Sequence, residues 1–84
     1  MSDKRCTDLT AGPSGVMTDE VGVVTGELTL CSELDDALAV TLRVQYKDAD
    51  EWYVVTGGRC QLHDAADLDA IHSVVLGLLN RPEG

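Results

Sequence analysis

Residues Leu38–Tyr46 alternate without a break, Leu38, Val40, Leu42, Val44 and Tyr46 against Ala39, Thr41, Arg43 and Gln45. A period of two belongs to a strand with one face on a core and the other toward solvent. Wound into a helix, the same residues would scatter apolar side chains around every face. The chain must therefore supply partners for this strand. Val23–Cys31 carries Val24, Leu28 and Leu30 on one parity and Thr25, Glu27 and Thr29 on the other. Trp52–Thr56 is aromatic and β-branched, the composition of a third strand.

Short polar breaks connect these segments. A hairpin over Lys47–Glu51 that faces Lys47 with Glu51 sets Tyr46 opposite Trp52 and Val44 opposite Val54. A turn within Ser32–Asp36 that faces Leu30 with Leu38 sets Leu28 opposite Val40 and Val24 opposite Val44. Both registers bury one row: Val24, Leu28, Leu30, Leu38, Val40, Leu42, Val44, Tyr46, Trp52 and Val54. Gly57-Gly58 ends the third strand, and Arg59–Leu62 is read as a short fourth strand or an extended connection. A helix follows, with Asp64 as N-cap and Leu68, Ile71, His72, Val75, Leu78 and Leu79 at helical spacing. Asn80, Arg81 and Pro82 close it, and Gly77 inside it predicts a close helix–sheet approach. Residues 1–20 hold Gly12-Pro13-Ser14-Gly15 and no apolar period, and read as a disordered N-terminal tail. The predicted fold is α+β: a two-layer single domain over 21–84, with a three-stranded antiparallel meander packed by one C-terminal helix.

The 84 residues include 15 acidic and 6 basic side chains, a net charge of −9. That charge argues against nucleic acid and against anionic membranes as partners. No run of about 20 apolar residues exists, so no spanning helix is expected. The first residues lack an apolar signal core, which points to the cytoplasm. Cys6, Cys31 and Cys60 are odd in number and widely spaced, which does not indicate a disulfide scaffold. Phe is absent, and Ile and Asn occur once each, a usage that suggests a high-GC bacterial genome.

Candidate chemistry is sparse. Cys60-Gln61-Leu62-His63 could chelate a metal ion, with Cys31 and His72 completing four ligands. A small buried cysteine is the more common state of that residue, and no second closely spaced pair exists. Cys60 with His63 or His72 would need a cleft and an orienting group to act as a nucleophile. Neither an enzyme nor a cofactor is therefore expected. Asp48-x-Asp50 lacks the remaining spacing of a calcium loop.

Surfaces are the better candidates. The outward sheet row is nearly neutral, and Tyr53, Val55, Arg43 and Glu27 on it are the predicted contacts for a protein partner. A small core pushes such a chain toward self-association. The expected function is that of a small non-enzymatic regulatory or accessory protein that acts by protein–protein association and forms homo-oligomers. One alternative is an acidic charge mimic or antitoxin-type inhibitor of a basic nucleic-acid-binding protein, acting through loops 33–36 and 48–51. Residues 21–84 alone carry 11 acidic and 4 basic side chains. A small Cys/His metal-binding protein is the other alternative.

Asp36-Ala37-Leu38-Ala39-Val40, with a hairpin and Trp52 downstream, resembles the Asp-Pro-Tyr-Ala-Val strand and later Trp of the SsgA-like sporulation and division regulators. Ala37 stands where that pattern has Pro, and no Arg-Asp-Leu-Leu follows Trp52. No residue role is carried over.

Overall fold

A computed structural model describes residues 3–81. Four antiparallel strands in chain order are followed by one helix. They are β1 (Asp3–Thr18), β2 (Gly22–Leu34), β3 (Ala39–Tyr46) and β4 (Tyr53–Gln61). A 3-10 turn (Ala65–Asp67) then leads into α1 (Leu68–Leu79). The fold is α+β with a C-terminal helix, as the periodicity predicts, but the meander has four strands.

The added strand is the predicted tail. Residues 3–18 form the longest strand and pair with β2 from Asp3–Leu34 to Thr18–Gly22. The single domain therefore begins with β1, not at residue 21. The Gly-Pro cluster is a bulge inside this strand. Four residues of β1, 12–15, lie between the paired positions Ala11 and Val16, against one residue of β2 between Gly26 and Val24. Gly15 makes the bulge sterically feasible. It sits at φ +68°, and a Cβ there would lie 2.6 Å from the Val24 carbonyl oxygen. Beyond the bulge, Thr18 Oγ1 donates to the Gly22 carbonyl at 2.7 Å and accepts from Val21 N–H, closing the first hairpin.

The β2–β3 register is displaced by six residues from the expected one. Leu30 pairs with Val44 and Leu34 with Val40, so Ser32–Leu34 extends the strand instead of forming the turn. An even displacement leaves the side chains that pair across β2 and β3 on their predicted faces. The turn itself is tight. Asp35 Oδ1 accepts from Ala37 and Ala39 N–H, and Leu38 moves out of the strand row to φ +64°.

The β3–β4 register differs by one residue, with larger consequences. Val44 faces Tyr53 and Arg43 faces Val54. Tyr53 and Val55 therefore point inward, while Val54 takes the outward parity yet is still buried, as expected. The Gly57-Gly58 pair does not end the strand. It belongs to a second bulge, after which Arg59–Gln61 pair with β3 again. A Cβ on Gly58 would come within 2.9 Å of Leu42 Cβ.

These two glycine-bearing bulges turn the corners of the sheet. It curls until β1 meets β4 at Thr18–Val55, where Asp19 N–H also donates to the Val54 carbonyl. The result is a closed barrel. Leu28, Leu30, Val24, Val40 and Val44 are fully buried in it, each worth roughly 1.5–3 kcal/mol of transfer from water. α1 covers the inner side of the first half of β1, with Leu68 fully buried. Its N-terminal end is held by an Arg5–Asp69 ion pair. Its C-terminal end is held by Thr10 N–H donating to Asn80 Oδ1, and by Arg81 N–H donating to Thr10 O. Asp64 is the N-cap of the preceding turn and accepts from Ala66 N–H. Pro82 lies outside the described residues.

Two further expectations are corrected. Cys6 and Cys31 form a disulfide across the directly paired β1 and β2 positions. Leu78, predicted on the packed side of the helix, is 61% exposed.

Candidate interaction surface

The four residues predicted to share an open sheet face are separated by the barrel. Val55 is buried in the core. Tyr53 packs against the core and donates its hydroxyl to Glu51 at 3.0 Å. That carboxylate raises the Tyr53 phenol above its ordinary range. Arg43 and Glu27 do stay on the outer face. Arg43 is held by Glu33, Nε to Oε1 at 2.7 Å, and Glu27 accepts from Thr10 Oγ1. Arg43, Glu33, Lys4, Trp52 and the half-cystine Cys31 surround an open groove of about 370 Å³. Trp52 was expected in the core and lies partly exposed on that groove.

The four proposed metal ligands do not converge. Cys31 is consumed by the disulfide and carries outward parity. His72 is on the inner side, and the sheet lies between them. His63 and Cys60 are exposed. Among the described residues, no three His, Cys, Asp or Glu side chains group to hold an ion.

His72 instead pins the helix to the sheet. Its Nδ1 shares a hydrogen bond with Ser32 Oγ at 2.7 Å, and its Nε2 shares one with Thr7 Oγ1 at 2.9 Å. Both nitrogens of a neutral ring are thereby satisfied, and either hydroxyl can donate or accept. Ser32 is fully buried, so this Ser–His contact offers no path to a substrate. Burial, then the nearby Arg5 charge, lowers the His72 pKa, with Asp69 opposing. The unfolded chain binds this proton more tightly, so the contribution of His72 is present above about pH 6.5 and is lost as pH falls through the depressed folded value. We expect the urea midpoint of the wild type to fall between pH 7.5 and 5.5 relative to His72→Gln, roughly a pH unit to either side of the unfolded value. Parallel pH profiles for the two proteins would sink this assignment.

Several acidic side chains are engaged within the fold. Glu33 holds Arg43 and Asp35 holds two turn amides. Asp19 accepts from Thr56 Oγ1, and Glu20 from Val54 N–H.

Exposed large apolar side chains lie at the first hairpin, at Met17, Val21 and Val23, and on the outer face of α1. Taking 100° per residue, Ala70, Ile71, Val74, Gly77 and Leu78 fall within about 60° of Val74 on α1. Val74 and Leu78 are each 61% exposed. The inner side of the same helix carries Leu68, Ile71, Val75, Leu76 and Leu79, while Asp69 and Ser73 share the exposed side with Val74 and Leu78. Ile71 and Val75 also border an apolar groove of about 210 Å³ shared with Val40, Leu42, Gly58 and Cys60. Gly77 has nothing within 4 Å of the place a Cβ would occupy. The expected helix–sheet approach at this glycine is therefore absent.

Sequence reasoning missed this surface because Leu78 fits an inward period as well as an outward one. The signal was available in the run Val74–Leu79, which contains no charged or polar residue. A helix needs only one apolar stripe to pack on one sheet. No family model, curated protein or solved structure matches the chain.

Proposed function

We propose that this chain acts by association with another protein chain, without catalysis of its own, and that the outer face of α1 is the contact. The observation that carries the reading is that Val74 and Leu78, one turn apart on α1, are each 61% exposed on the side that the barrel leaves uncovered. Large apolar side chains grouped on an exposed helix face mark a contact surface. The core supports the same view, since a barrel this small gains from further burial. The full burial of Ser32 beside His72 leaves that Ser–His pair without access to a substrate. The Cys6–Cys31 bond weighs against the reducing cytoplasm as the working compartment. No helix of the described residues is long and apolar enough to cross a membrane.

The test is a comparison of tagged wild type with tagged Val74→Glu, each recovered from the native host under identical conditions. Chains retained by the wild type and lost by the variant, untagged copies of this protein included, are the expected result. Identical sets of retained chains would overturn the reading. Circular dichroism of the variant checks that the exposed substitution leaves the fold intact.

A further inference from the structure

We infer that the partner is a second copy of this chain, packed antiparallel along α1 about a two-fold axis at Val74. The inference rests on the proposed role of α1 as the contact, and adds the occupant and its direction. Three observations carry it.

The first is charge at the two ends of the stripe. Asp67 precedes the first turn, with helical φ of −75°, and its carboxylate makes no cap hydrogen bond. Arg81 lies past the last turn and folds back, Nε donating to Leu78 O at 3.2 Å. Asp67 and Arg81 are each seven positions from Val74. A two-fold axis at Val74 lays each Asp67 beside the C-terminal end of the other copy's helix, where the Arg81 guanidinium sits over Leu78 O although its backbone has turned toward Thr10 O on β1. It also sets the negative helix end against the positive one.

The second is the identity of the intervening residues. The stripe between Asp67 and Arg81 is Ala70, Ile71, Val74, Gly77 and Leu78, with no charge. A chain of net charge −9 repels its copies over most of its surface. The stripe itself carries no charge to oppose association, and Val74 and Leu78 are there to be buried. The spacing of three and four residues repeated about Val74 is that of a two-helix seam.

The third is Gly77. Glycine costs about 1 kcal/mol against alanine inside a helix. Open space around Gly77 gives it no packing role within the chain. Close approach of a second helix backbone supplies one, and under the antiparallel arrangement Gly77 faces the other copy's Ile71 and Ala70.

The experiment is sedimentation equilibrium of the full oxidised chain from micromolar to millimolar concentration. A monomer–dimer equilibrium is expected, with Val74→Glu weakening it at least about a hundredfold, because the two carboxylates meet at the axis. Asp67→Arg and Arg81→Asp each set like charges against each other and weaken it. An equimolar mixture of the two single variants restores a dimer, now of unlike chains, and the double variant restores a homodimer. Gly77→Ala raises the thermal midpoint of the dilute monomer by a few degrees yet weakens the dimer about tenfold. A chain that stays monomeric at millimolar concentration overturns the inference. If Val74→Glu still loses a different partner in the host, the proposed function stands and only the occupant is wrong. A dimer lost in Val74→Glu but indifferent to the charge reversals and to their mixing overturns the antiparallel arrangement.

Discussion

Gly15→Ala is expected to destabilise the fold by roughly 3 kcal/mol or more, read as a shift in urea midpoint at unchanged slope. Two effects add. The backbone at φ +68° strains any L residue, and the new methyl would meet the Val24 carbonyl oxygen at 2.6 Å and Val23 Cγ1 at 2.5 Å. The carbonyl belongs to the backbone of the paired strand, so it cannot swing aside. In a compatible conformation the same change commonly stabilises, by thinning the unfolded ensemble. Gly77→Ala is that contrasting case in the dilute monomer. A loss under about 0.5 kcal/mol at Gly15 would mean that residues 12–15 do not pack against β2, and the disordered-tail description would return.

Removing the Cys6–Cys31 bond is expected to cost a similar amount. The bond closes a sequence separation of 25 residues. Chain-entropy reasoning puts a loop of that size at roughly 3.5 kcal/mol. For a domain of this length the loss corresponds to a fall in melting temperature of roughly 15–25 °C. Cys6→Ser with Cys31→Ser tests it without reductant. Thiol titration of the denatured wild type gives an independent check, with one reactive group before reduction, from Cys60, and three after. Three thiols before reduction, or a double serine variant as stable as the wild type, would remove the bond from the account. The bond also ties the start of β1 to β2, where Arg5 and Thr7 hold the helix through Asp69 and His72. Loss of the disulfide should therefore loosen the N-terminal end of α1 first.

These two predictions fall on residues that the sequence reading placed in a tail or left unpaired. Its errors have a common physical origin. Gly12-Pro13-Ser14-Gly15 is local punctuation, and local chemistry cannot distinguish a bulge from a disordered segment. The distinction lies in whether a thirteen-residue β2 is present to pair with it. Leu9, Ala11, Val16 and Thr18 do carry a buried row, but the bulge breaks its period and hides it. The same holds at Gly57-Gly58, where a second bulge read as a strand end.

Registers show the same limit in two forms. The β2–β3 offset was six residues, an even number, so Leu28, Leu30, Val40 and Val44 were buried as expected. The β3–β4 offset was one, so Tyr53 and Val55 exchanged faces with Val54. The predicted contact surface went with them. Of its four members only Arg43 and Glu27 remain outside, and both are engaged by neighbours on the sheet.

The alternation of Leu38–Tyr46, the apolar row of β2 and the spacing of Leu68, His72 and Val75 determined by themselves that this is an antiparallel sheet packed by a C-terminal helix. Side-chain parity is a local property, and it survives every even shift of register. Closure of the barrel, the Cys6–Cys31 bond, the burial of His72 against Ser32 and Thr7, and the bare outer face of α1 were decided only in three dimensions. Each depends on which residues meet across long sequence separations. That is set by two glycine bulges and by the amount of sheet available to cover one short helix.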